Sequence, residues 1–147
     1  INHLMEGWDS SIIKVLKNDS EIIWYIVLYD ITLLEDERLE KFWELIWKNV
    51  QQWSKILYWK HSAIKKGLGI KWAWTKLEDD AFSYAKSLWY DYLVIEIAKS
   101  IKRKWQVFAN DKSMQYHTEH RWFQKIWEII YQDWNDEEVW NLMIKRL

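Results

Sequence analysis

The sequence predicts an all-α fold, a compact single-domain bundle of five to six helices with three long ones, and three observations carry that reading. The chain has no proline and only three glycines in 147 residues, whereas average usage would supply roughly 17 or 18 of the two together. Apolar residues recur at intervals of three and four through most of its length. Capping signals stand where that periodicity restarts. Residues 1–147 are therefore expected to form one helical domain.

In the first third, Asp9 to Lys17 reads as a short amphipathic helix. Ile22 to Leu34 is apolar on most sides and rich in β-branched residues, so a strand is the alternative there. Its length of about 13 residues, and the capping cluster Asn18-Asp19-Ser20 before it, favour a central buried helix.

The first long helix is predicted from Asp36 to Lys66, with Leu39, Trp43, Ile46, Val50, Trp53, Leu57 and Ile64 on one face. Glu37 with Lys41 and Glu44 with Lys48 place acid before base at i,i+4. Lys65-Lys66-Gly67 reads as its C-terminal end, where cations and a glycine cap belong.

After Gly67-Leu68-Gly69, Thr75-Lys76-Leu77-Glu78 has the form of a capping box. A second long helix follows through Ala81, Ala85, Leu88, Tyr92, Ile95, Ala98, Ile101, Trp105 and Phe108, with small residues early on the stripe for close approach. A third carries Tyr116, His120, Phe123, Trp127, Ile130 and Trp134. A hairpin of Trp105 to Ala109 with Met114 to Thr118 around Asn110-Asp111 is the lesser reading of that junction. Asn135 as N-cap, with Trp134 and Val139 as a hydrophobic staple, starts a short last helix that packs through Trp140, Met143 and Leu147.

Composition excludes several chemistries. With no cysteine there are no disulfides, thiolate zinc sites, iron–sulfur clusters or cysteine nucleophiles. A net charge of −1 is far from the basic surface that nucleic-acid binding usually needs. The longest apolar run, Ile22 to Tyr29, is too short to span a bilayer, and Ile1 to Gly7 lacks the pattern of a secretory signal.

Candidate chemistry is sparse. His117 and His120 fall at i,i+3 around Glu119 and could offer nitrogen ligands to a metal or haem, but there is no H-E-x-x-H or E-x-x-H pair, and the simpler reading is packing. His61 reads as a helix-end cation. Asp30, Asp91 and Glu96 interrupt apolar stretches and could be acids of raised pKa, although Lys99 lies within pairing reach of Glu96 on a helix. Ser11-Lys14, Ser62-Lys65 and Ser83-Lys86 match S-x-x-K without its companion motifs. Gly67-Leu68-Gly69 is a lone G-x-G read as a turn between helices.

Two basic clusters, Lys99, Lys102, Arg103 and Lys104 beside Trp105, and Lys60, Lys65, Lys66 and Lys71 beside Trp72, are balanced by acids at Glu35 to Glu44 and Asp133 to Glu138. Of the 14 tryptophans, Trp43, Trp53, Trp105, Trp127 and Trp134 sit on predicted core stripes. Trp47, Trp59, Trp72, Trp74 and Trp89 miss them and could line a groove or a dimer face.

The absence of cysteine and proline, the capping signals at Thr75 and Asn135, and the paired surface charges together resemble a computationally (de novo) designed helical protein. That resemblance implies a chain made to realise a fold. It implies no evolved activity, no enzyme, no catalytic, cofactor-binding or metal-binding residue, and no specific partner, nucleic acid or membrane. A monomer is expected, with a homodimer as the alternative. The competing expectations are a bundle binding haem or another apolar ligand in a Trp-lined cavity through His117 or His120, and a helical interaction module.

Overall fold

The computed structural model describes residues 2–7, 11–33, 40, 42–64, 71–104, 106–109 and 111–147. Its described residues hold eight strands, three α-helices and one 3-10 turn. The all-α expectation is wrong, and each of the predicted helices is wholly or partly strand. The chain divides into two compact units, Ile1–Glu35 with Ser54–Leu93 and Leu147, and Asp36–Trp53 with Val94–Arg146.

In the first unit, β1 (Asn2–Gly7), β2 (Ser11–Asn18), β3 (Glu21–Asp30) and β4 (Ile56–Ile64) pair in that order, each antiparallel to the next. The predicted helix ending at Lys17 is β2, and the stretch Ile22 to Leu34 is β3 followed by the 3-10 turn Ile31–Leu33. Trp24, Ile26 and Leu28 are buried and alternate with half-buried Tyr25, Val27 and Tyr29. This is strand period, hidden in the sequence because the less buried face is apolar too. Asn18-Asp19-Ser20 is a hairpin connection, with Asn18 opposite Glu21 and Asp19 at φ 54°. It is not a helix cap.

A helix (Lys71–Ser87) follows β4 and packs on β2 and β3. It starts earlier than Thr75, so that residue lies within the helix and caps nothing. Leu77, Glu78, Ala81, Phe82 and Ala85 form its buried face. The predicted small residues Ala81 and Ala85 are there, fully buried, and Phe82 sets its ring edge-on to Trp59 of β4 at 6.0 Å. Beyond the helix, Asp91 and Tyr92 donate their N–H groups to Lys55 O at 2.8 and 3.3 Å, which starts β5 (Tyr92–Arg103) beside β4.

In the second unit, a helix of six residues, Trp43–Lys48, is what the described residues keep of the predicted Asp36–Lys66 helix. It holds Ile46 buried, and Glu44 meets Lys48 at 3.6 Å as expected, whereas Glu37 and Lys41 lie outside the described residues. In chain order it is α1, the helix Lys71–Ser87 is α2, and Asp111–Arg121 is α3. β5 pairs with β6 (Gln106–Ala109) on one side and with β8 (Asp136–Arg146) on the other, and β7 (Gln124–Asp133) pairs antiparallel with β8.

The second and third long helices of the sequence reading are thus each half helix and half strand. The hairpin considered around Asn110 is not formed either, because β6 pairs with β5 and Met114 to Thr118 is helical. The short last helix is β8, and Trp134-Asn135 is a two-residue hairpin loop between the paired Asp133 and Asp136.

Val94, Ile97, Ile129, Leu142, Met143 and Ile144 fill the core of this unit. From Val139 to Ile144 only Trp140 escapes full burial, so β8 has no polar face to betray its period. No helix among the described residues is long and apolar enough to cross a membrane.

Candidate functional site

Two structural features of the first unit converge on the C-terminal end of β4. The first is a bulge. Val27 pairs with His61 but Leu28 pairs with Trp59, so β4 carries one more residue than β3 at Lys60. Bulges re-aim the backbone and favour the neighbourhood of active sites. The second is the transition that follows. β4 ends at Ile64 and the 17-residue α2 begins at Lys71. The intervening sequence is Lys65-Lys66-Gly67-Leu68-Gly69-Ile70, which lies outside the described residues.

The electrostatics of this junction are unusual for a helix start. The first N–H groups of a helix point out unsatisfied and the dipole puts partial positive charge there, so acids are favoured and cations are not. The first turn of α2 has no acidic residue, and the sequence supplies Lys65, Lys66 and Lys71 instead. A helix start of this composition favours an anion from outside the chain.

The sequence reading gave Lys65 and Lys66 to the end of a helix, where they would have been favourable. The structure reverses the sense, since the element before Gly67 is a strand. The signal that could have exposed the site was present as G-x-G in lysines with no acid from Lys65 to Lys76.

The other sequence candidates turn out to be structural or dispersed. Asp30 and Asp91 are in the first unit, Glu96 in the second. Asp30 accepts hydrogen bonds from Thr32 N and Oγ1 and from the Tyr90 hydroxyl, while Asp91 accepts one from Lys55 N at 2.9 Å. Glu96 lies on β5 and not on a helix, and Lys99 reaches Glu128 at 3.1 Å.

His117 and His120 part company. His117 is buried, edge-on to Tyr116 and Phe123, whereas His120 is exposed. Among the described residues no cluster of three His, Cys, Asp or Glu could hold a metal. Ser83 and Lys86 are exposed on α2, Ser11 and Lys14 fall on β2, and Lys65 lies outside the described residues. In the basic cluster of β5, Arg103 donates to Glu138 Oε1 at 2.8 Å, which holds its guanidinium above the usual arginine range.

The tryptophans also redistribute. Trp53, Trp127 and Trp134, expected in the core, are exposed, and Trp43 is half-buried. Among the described residues Trp24 and Trp59 are buried, although the helical stripes left Trp59 off the core. Trp105 lies outside the described residues, as do the side chains of Trp72 and Trp74.

No family model matches this sequence, and no curated protein is similar to it. Its structure is similar to that of several known proteins. FeeM, an N-acyl amino acid synthase from uncultured soil microbes, matches with a TM-score of 0.65 and 13% identity, over 99% of this chain and 80% of that one. Arabidopsis thaliana NAA60 in complex with acetyl-CoA matches at 0.61 and 8%, over 94% and 77%. An acetyltransferase of the GNAT family from Streptococcus pneumoniae matches at 0.61 and 13%, over 96% and 70%. The chain has the GNAT acetyltransferase fold.

At these identities the likeness is one of fold. It overturns the resemblance to a designed helical protein, whose capping signals at Thr75 and Asn135 are in any case not caps. The two helical alternatives, a haem-binding bundle and a helical interaction module, fall with the bundle itself. The expectation of a chain that is no enzyme and has no evolved activity gives way as well, because this is an architecture that acetyltransferases use.

Proposed function

We propose that this chain is an acyltransferase that takes its acyl group from an acyl-coenzyme A, acetyl-CoA being the simplest donor. The observation that carries the reading is the run β4, Gly67-Leu68-Gly69, α2. A bulged strand is followed in sequence by a glycine-containing junction with three lysines and by a long helix whose first turn carries no acid. A diphosphate such as that of coenzyme A is the anion class that glycine-rich strand-to-helix junctions hold. Similarity to NAA60 in complex with acetyl-CoA supports the same donor.

In the transfer, an acceptor amine attacks the thioester carbonyl. A C–N bond forms, the C–S bond breaks, and the proton lost by the amine is balanced by one gained by the departing thiol. On this reading the α2 N-terminus and Lys65, Lys66 and Lys71 hold the diphosphate. The bulge of β4 at Lys60 is the proposed source of backbone dipoles facing the charge that develops on the carbonyl oxygen. The chain supplies position and field, and the thioester supplies the leaving group.

The test is release of free coenzyme A thiol from acetyl-CoA, followed with a panel of primary amines. Amine-dependent release supports the reading. A rate equal to that of buffer with every amine overturns it.

A further inference from the structure

Among the described residues six non-glycine residues have positive φ, and four of them are tryptophans: Trp53 (65°), Trp89 (66°), Trp122 (64°) and Trp134 (48°). The other two are Asp19 and Lys104. A left-handed backbone is uncommon for any residue with a Cβ and is a genuine outlier for a bulky one, while glycine adopts it freely. The same four tryptophans are 89%, 82%, 77% and 101% exposed, so no packing of the indole repays the backbone conformation. The buried tryptophans among the described residues behave in the opposite way. Trp24 and Trp59 lie in strands, at 1% and 5% exposure, and have no positive φ.

The local geometry names the residue that two of these positions want. At the end of α2, Trp89 N donates to Lys86 O at 3.0 Å and Tyr90 N donates to Ala85 O at 3.2 Å. That pair of bonds is the Schellman motif, with Trp89 at the left-handed position that is usually glycine. Between β7 and β8, Trp134 is the first residue of a two-residue hairpin loop, a position that requires positive φ and favours glycine or asparagine. Trp122 ends α3, with Phe123 N donating back to His117 O at 3.0 Å, and Trp53 turns the chain just before β4. The composition agrees, with 14 tryptophans against three glycines.

We infer that positions 53, 89, 122 and 134 are glycine positions of this fold, and that the codons behind them are read as glycine by the organism that makes the protein. Where the codon UGA has lost its role as a stop, some genetic codes read it as tryptophan and others as glycine. One reassigned codon therefore accounts for the contrast between the buried tryptophans Trp24 and Trp59, from the ordinary codon, and the four exposed, left-handed ones, from the other. The inference is independent of the acyl-transfer reading, since none of the four lies in the run from β4 to α2.

Two measurements test it. Peptide mass spectrometry of the protein isolated from its source is expected to show masses lower by the difference between tryptophan and glycine at the four sites, and unchanged at Trp24 and Trp59. Tryptophan masses at the four sites overturn the inference. Recombinant protein carrying Trp53→Gly, Trp89→Gly, Trp122→Gly and Trp134→Gly is expected to unfold roughly 5–10 °C higher than the tryptophan form, relief of left-handed strain exceeding the entropy cost of glycine. A Trp24→Gly control is expected to lose stability. An equal or lower midpoint for the fourfold variant contradicts the claim that the fold asks for glycine there.

Discussion

The Tyr90 hydroxyl donates a hydrogen bond to Asp30 Oδ2 at 2.9 Å, across 60 residues of sequence. The other oxygen, Oδ1, accepts from Thr32 N and Oγ1 at 3.0 and 2.6 Å, so one carboxylate fastens the end of β3, the turn after it and the chain leaving α2. Lys55 Nζ sits 4.3 Å above the Tyr90 ring. Burial first, then the hydrogen bond to Asp30 and its negative charge, holds the phenol well above the usual tyrosine range.

Tyr90→Phe is expected to lower stability by about 1 kcal/mol, the net worth of one hydrogen bond. The folded-state pKa is raised, so this contribution is complete below the ordinary tyrosine value of about 10 and is lost as pH rises through the folded value. Thermal unfolding at neutral and strongly alkaline pH checks both parts. The gap between wild type and variant closes at high pH, and a constant gap contradicts the assignment.

Asp91 ties three segments. Its carboxylate takes the Lys55 N–H, its own N–H goes to Lys55 O, and its carbonyl takes the Leu147 N–H at 2.8 Å. Asp91→Ala removes the first of these and is expected to cost about 1–2 kcal/mol, whereas Asp91→Asn keeps an oxygen acceptor and costs less. Urea unfolding of the two variants gives the order, and equal losses refute the carboxylate's role.

How much of this was legible in the sequence depends on what each element shows to solvent. The middle of the buried face of α2 was readable because Leu77, Ala81 and Ala85 repeat at four-residue steps, although Leu88, next on that stripe, is exposed. β3 and β8 were not, since apolar residues occupy both faces and a 3/4 spacing can be drawn through any dense apolar run. The turns were hidden by their residues. Trp89 and Trp122 stand where glycine would have punctuated the chain, so helix and following strand read as one long helix. The junction at Gly67 was visible but given the wrong sense, because the strand before it was taken for a helix.

Strand register is tested by paired truncations. Leu142 is fully buried on β8, while Ile130 on β7 is 60% exposed although the helical reading put it in the core. Leu142→Ala is expected to cost about 2–5 kcal/mol and Ile130→Ala under about 1. Denaturant unfolding reads both, and comparable losses argue against this register.

Glu128 sets an acid-side prediction. Lys125 at 2.7 Å and Lys99 at 3.1 Å donate to its Oε2 and hold its carboxyl below the usual glutamate range. The register slip between Lys125 and Trp127 is what lets two residues three apart on β7 meet. A depressed folded-state pKa adds stability above the unfolded value, and this is lost as pH falls through the folded one. Glu128→Gln is therefore expected to flatten the acid limb of the stability profile and to weaken its dependence on salt. An unchanged limb refutes this.

The central claim is that the junction of β4 and α2 holds the diphosphate of an acyl-coenzyme A, and calorimetric titration of acetyl-CoA into the full chain and into Gly69→Val tests it most directly. Saturable binding by the unaltered chain is expected, weakening as salt is added, with affinity reduced by at least roughly tenfold in the variant. No binding, or equal binding by both proteins, contradicts the account.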